Sequence, residues 1–239
     1  MKKSAFSLVE LSVVLIVIGL LVATVSVSSK LISNSKIRSV INEIEKVKSS
    51  INTFYGSFES YPGDFDRATS YFSGASNGDG DKLVEYNAEN AYAWLHLQKA
   101  EVIDGNYSGS MGDSGNGSTG GINTLGSRYH SAACFSFTGS LSHGSALGIN
   151  TGLNGFILGH RWVNNACEGE LFLPRDAEFI DLKLDDGVAN KGNVIAVGGQ
   201  INPPTSGSSG SVNLSTACES SGAYSTTTTT VECILHFLF

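Results

Sequence analysis

Charge is scarce in this chain. Only 15% of its 239 residues are Asp, Glu, Lys or Arg, well under the usual quarter, and a mean hydropathy of +0.04 argues against charge-driven disorder. The basic sign is the scarcer one: 15 Lys+Arg against 22 Asp+Glu give a formal net charge of -7. No nucleic-acid partner held through phosphates is expected from that balance. Cysteine is limited to four residues and proline to four, and no C-x-x-C occurs. His96, His130, His143, His160 and His236 show no ligand or triad spacing and read as core or surface residues. Coiled coil, collagen and polytopic membrane protein are disfavoured together by this composition.

Glycine is what the chain has in plenty. Of 28 Gly, 14 fall between Gly105 and Gly159, where the only formal charges are Asp113 and Arg128. Long Gly/Ser/Asn loops are expected there. Cys134, Cys167, Cys218 and Cys233 are widely spaced. Structural zinc draws on close Cys or Cys/His pairs, which are missing. Two buried thiol pairs or two disulfides remain, and a loop-rich, low-charge chain fits disulfides in an oxidising compartment. Three connectivities exist; sequence neighbours suggest Cys134–Cys167 and Cys218–Cys233, each closing one local loop. The second would staple the tract ending in Thr226–Thr230 and contribute roughly 3 kcal/mol.

The N-terminus is the most informative part. Lys2 and Lys3 precede Phe6-Ser7-Leu8-Val9-Glu10, and from Leu11 to Val27 no charge occurs. That run is long enough for about 30 Å of hydrocarbon, and Lys2 and Lys3 would keep the leader cytoplasmic. A secretory signal peptide cut at 26–29 is the ordinary alternative. Glu10 inside the apolar run argues against it, as does the helical pattern continuing past that point. Beyond Lys30 the apolar positions Leu31, Ile32, Ile37, Val40, Ile41, Ile44, Val47, Ile51, Phe54, Tyr55 and Phe58 recur mostly in steps of three and four. Such spacing predicts an amphipathic helix. With no Pro or Gly between Leu20 and Tyr55, the two segments read as one rod over 6–58, about 80 Å long.

A Lys-containing leader, then Phe6-Ser7-Leu8-Val9-Glu10-Leu11 and an apolar run, resembles the N-terminal signal of type IV pilins and type II secretion pseudopilins. The resemblance implies cleavage by a prepilin peptidase between Ala5 and Phe6, N-methylation of Phe6, and Glu10 as the assembly residue. The family usually has Gly where this chain has Ala5, which is also small. Gly19 matches a helix-loosening glycine of pilins, and Val27 stands where major pilins often carry a kinking proline. Looser similarity to one pilin-like subgroup runs through Tyr61-Pro62-Gly63-Asp64, Asn77-Gly78-Asp79-Gly80-Asp81, Ala93-Trp94-Leu95-His96-Leu97 and the stretch from Ile180 to Gly187.

The chemistry of Glu10 supports that role. A carboxylate at the bilayer centre costs about 3 kcal/mol, so it should be there for a partner. Cleavage before Phe6 creates an amine with a reference pKa of about 8, and the Glu10 of one subunit can pair with a neighbour's Phe6 amine. The implied organisation is α+β: a leader over 1–5, a transmembrane and polymerisation half over 6–29, an amphipathic half over 30–58 and a head over 61–239. The head is expected to be an antiparallel sheet with long Gly/Ser-rich loops, packed on the long helix as a pilin-like lollipop. Helices are predicted at 64–71 and 89–103, and short strands at 135–137, 155–163, 170–173 and 194–197. A last strand at 231–239 is apolar on both faces and belongs near the sheet centre.

Asn77, Asp79 and Asp81, with Glu85 and Glu89 following, resemble the oxygen-ligand spacing of a calcium loop. Lys82 stands where an EF-hand has Gly and Ala88 where it has its last glutamate, so the choice is between a looser calcium loop and a solvated turn. Asp181, Asp185 and Asp186 read equally as a helix end before a Gly187 turn. Gly112-Asp113-Ser114-Gly115 echoes a serine-protease loop, but no Ala-Ala-His-Cys stretch precedes it. Residues 115–120 match a dinucleotide fingerprint in letters only. No catalytic constellation is present, so no enzyme is expected. The expectation is a structural subunit in the inner membrane with a periplasmic head, assembling with other pilin or pseudopilin subunits into a pilus, DNA-uptake fibre or secretion pseudopilus. A monomeric anchored or secreted binding module is the alternative.

Overall fold

The computed structural model describes residues 7–85, 88–111, 118–138, 153–161, 167–198 and 217–239, with 23–32 described by backbone alone. Helix α1 runs unbroken over Leu8–Phe58, 51 residues, or about 76 Å at the α-helical rise. No proline interrupts it: the nearest is Pro62, after the end. It stops at Glu59, whose left-handed φ of 53° lets its N–H cap the Tyr55 carbonyl.

The two halves of α1 meet different surroundings. From Ile37 onward the steps of three and four become a buried stripe: Ile37, Val40, Ile44, Val47, Ile51 and Phe54. This stripe is the spine of the main core. Short helix α2 (Ala68–Tyr71) and helix α3 (Ala88–Lys99) follow, so the helix expected at 64–71 is confined to its last turn. Strand β1 (Ala133–Thr138) and β2 (Gly155–His160) lead into helix α4 (Pro174–Leu184), then β3 (Val194–Gly198), β4 (Glu219–Ser220), β5 (Ala223–Tyr224) and β6 (Cys233–Leu238).

The main sheet is antiparallel throughout, in the order β1-β2-β6-β3. As its two-sided apolar pattern predicts, β6 is buried along its whole length between β2 and β3. Register sets Phe137, Phe156, Phe237 and Val194 in one row and Phe135, Leu158, Leu235 and Ala196 in neighbouring places. These residues belong to the core that α1 and α3 also enter. Ile157, Ile195, Val197, Ile234 and Leu238 form a second cluster on the other face. Residues 170–173 are not a strand. Phe172 bridges Cys233 alone, and Pro174 then opens α4 at a position where its missing N–H costs nothing.

Both disulfides join the suggested pairs: Cys134–Cys167 ties β1 to the segment before α4, and Cys218–Cys233 ties the start of β6 to the residue before β4. The fold is therefore α+β with an antiparallel sheet. The membrane-crossing half expected over 6–29 is not found: among the described residues no helix is long and apolar enough to cross a membrane.

Candidate assembly helix and acidic loop

Glu10 sits in the first turn of α1. Ser7 is the N-cap: its Oγ accepts from the Val9 amide at 3.3 Å, and its own N–H donates to Glu10 Oε2 at 2.9 Å. This reciprocal pair is a capping box, and it places a carboxylate at the positive end of the helix. Sequence reasoning missed the cap, although Ser-x-x-Glu is its signature. Around it every residue from Ser7 to Val22 is exposed, Leu8 at 86% and Ile16 at 63%. The Ala5–Phe6 junction lies outside the described residues.

The second constellation follows the end of the rod. Pro62 and Gly63 turn the chain, and the loop returns as Asn77-Gly78-Asp79-Gly80-Asp81 against it. The fit is tight: a side chain on Gly78 would meet the Gly63 carbonyl at 2.3 Å. One oxygen each from Asp64, Asp79 and Asp81 lie within 4.8 Å of one another, and Asp79, Glu85 and Glu89 form an overlapping group. Asp79 Oδ1 accepts from the Asp81 amide and Asp81 Oδ1 from the Leu83 amide. Glu89, on α3, accepts from the Asp79 and Glu85 amides at 2.9 and 3.2 Å. Asn77, the other residue of the alternation, accepts at Oδ1 from the Thr69 amide at 2.8 Å, inside α2.

Asp64 is the member that sequence reasoning missed. It is 2% exposed, and Oδ2 accepts from the Lys82 amide at 3.2 Å while Oδ1 is enclosed without a hydrogen bond. Burial pushes its carboxyl up to about 6; the Gly80 and Lys82 amides oppose this and the Asp81 and Asp79 charges add to it. Glu89 is pushed up to about 8 by burial and then by Glu85. His96 braces the same turn: Nδ1 accepts from the Gly63 amide at 3.0 Å and Nε2 lies 2.8 Å from the Ser76 carbonyl. Burial holds this imidazole down to about 4, so it is neutral and donates from Nε2.

Asp181, Asp185 and Asp186 also converge. Here the carboxylates are engaged by three parts of the fold. Asp181 Oδ2 accepts from the Tyr224 hydroxyl at 2.8 Å, Asp185 from the Asn193 and Val194 amides, and Asp186 from the Val188 amide. Asp181 Oδ1 is enclosed without a hydrogen bond. They close the end of α4 before Gly187, whose φ is +76°, as the helix-end reading expects. His143 and the Gly-rich motifs at 112–117 lie outside the described residues.

No known protein family matches the chain, and no curated protein or solved structure matches it either.

Proposed function

We propose that the chain is a structural, pilin-like subunit that polymerises through the first half of α1, after prepilin-type cleavage between Ala5 and Phe6. One observation carries this reading: a single helix whose second half is the spine of the head and whose first half presents Leu8, Leu11, Leu15, Ile16, Ile18, Leu20 and Leu21 to the surroundings. Each such side chain contributes about 1.5–3 kcal/mol on full burial, so that surface calls for apolar surroundings. Before assembly they are the inner membrane, since the uncharged sequence continues to Ser29. In the polymer they are the same helices of other subunits. The head then lies in the periplasm, where both disulfides are stable.

Glu10 has two roles to separate. As a cap it bonds the Ser7 amide; as an assembly residue it pairs with a neighbour's Phe6 amine, where an orphaned charge is costly. Glutamine serves a capping box as glutamate does but cannot neutralise an amine. Glu10→Gln should therefore leave membrane-bound protein constant and reduce its share in sheared surface fibres or crosslinked oligomers at least tenfold, and Glu10→Ala should do the same. Wild-type assembly in the Gln variant would reduce Glu10 to a cap and remove the polymerisation argument.

A further inference from the structure

We propose that Asp64, Asp79 and Asp81 hold a calcium ion that fastens the loop after the rod onto the head. The inference is independent of the assembly reading. It rests first on convergence: three carboxylates from two stretches of chain bring one oxygen each within 4.8 Å of the others. Calcium takes oxygens at about 2.3–2.6 Å, so small side-chain adjustments bring oxygens this close onto one ion. It rests secondly on Asp64, a side chain 2% exposed whose enclosed Oδ1 has no hydrogen bond. A buried ionised oxygen without a donor is costly, and a cation is the partner that its two carboxylate neighbours also call for. Among the described residues none of the three forms an ion pair, and the nearby Arg67 is engaged with Asp66 at 3.6 Å.

The surroundings suit a hard cation. Asp79 and Asp81 are exposed and give an entry path, while Asp64 closes the inner side. A cavity of about 210 Å³ opens beside Asp64, lined also by Asp66, Gly80 and the two cations Arg67 and Lys82, and admits water to that side of the loop. Glycines at 78 and 80 let the acidic residues alternate toward one point, with Gly80 at φ +78°. Glu89 holds the Asp79 amide from α3 and positions the loop without being one of the three ligands. The Asp181 group also has an enclosed Oδ1, but a tyrosine hydroxyl and three amides already tie its other oxygens to three parts of the fold.

The test uses the full chain in detergent, stripped with EDTA and dialysed, its thermal unfolding followed while calcium chloride is added. At a hundredfold excess over Kd the expected rise in Tm is about 5–10 °C for a chain of this size, and equilibrium dialysis should find one ion per chain. Magnesium chloride at equal ionic strength should give less than a third of that rise. Asp79→Asn and Asp81→Asn keep the oxygens that accept from the Asp81 and Leu83 amides, so the turn still closes. Each should shift the calcium midpoint at least tenfold, and Asp186→Asn should leave it unchanged. No saturable rise and no bound ion in the wild type would overturn the proposal. So would an equal response to magnesium, an unchanged midpoint in both loop variants, or a loss confined to Asp186→Asn.

Discussion

Replacing Phe54 by alanine tests whether the second half of α1 is part of the head or only its stalk. The ring is fully buried, with Phe58 at 4.6 Å, Phe65 at 6.0 Å, His96 at 6.2 Å and Phe72 at 6.3 Å between centroids. Those neighbours come from α1, the turn after it, α2's end and α3, so no single element can move to refill the space. A buried Phe→Ala costs about 3–5 kcal/mol, the upper end where the site cannot collapse. That is a large share of the about 5–15 kcal/mol usual for a domain. For a chain of this length it lowers Tm by about 6–20 °C. The assay is thermal and urea unfolding of the full chain in detergent, read by the fluorescence of the buried Trp94. Leu15→Ala, at a position 62% exposed, is the control and should stay within about 0.5 kcal/mol. If Phe54→Ala cost less than about 1 kcal/mol, or no more than Leu15→Ala, the account of α1 as core spine would be refuted.

Two further outcomes follow from the cross-links and the buried acids. The bridges close 33 and 15 residues, so removing Cys134–Cys167 by paired alanines should cost about 0.7 kcal/mol more than removing Cys218–Cys233, itself worth about 3 kcal/mol; urea unfolding that ranks them the other way would contradict loop entropy as the source. Burial pushes Glu168 up to about 7 from its ordinary 4.5. The fold thus holds a proton that the unfolded chain has lost, and this stability, present below pH 4.5, is lost as pH rises through 7. Glu168→Gln should flatten the fall between pH 5 and pH 8 by about 3 kcal/mol at most, and equal slopes in urea midpoints would show that Glu168 does not titrate in this way.

The elements legible in the sequence were those whose own spacing decides their burial. Ile37, Val40, Ile44, Val47, Ile51 and Phe54 are a regular stripe, and the structure buries each of them. The apolar residues of β6 alternate onto both faces, and the strand lies where two-sided burial requires. Helix α4 was legible only at its end because its burial follows its apolar pattern only in part: Ala177 and Ile180 are in the core, but Phe179 and Leu182 are 41% and 57% exposed, while Asp181 is buried to accept from Tyr224. Periodicity is blurred in a helix that buries an acid and exposes some of its apolar residues. The acidic loop was half legible. Alternation placed Asp79 and Asp81 together, but Asp64 joins them across a turn, and His96 fixes that turn from a helix far along the chain. The bond of Asn77 to α2 was not legible either, because spacing gives which way a side chain can point and not which amide it meets.

The division within α1 has a consequence for how the protein tolerates change. Substitutions among the exposed residues 8–22 remove apolar surface that the head does not use, so their cost falls on whatever surrounds that half. Substitutions in the stripe from Ile37 to Phe54 open cavities in a core shared with β1, β2, β6 and α3, and their cost falls on the head itself. At the junction the Glu59 cap, the His96 bond to Gly63 and the Glu89 bond to Asp79 fix the direction in which the rod leaves the head. On the proposed assembly, that direction has to be the same in every copy. The sequence therefore concentrates its tight glycine turn, its aromatic cluster and its converging carboxylates where α1 ends, although the exposed apolar surface lies at the opposite end of the helix.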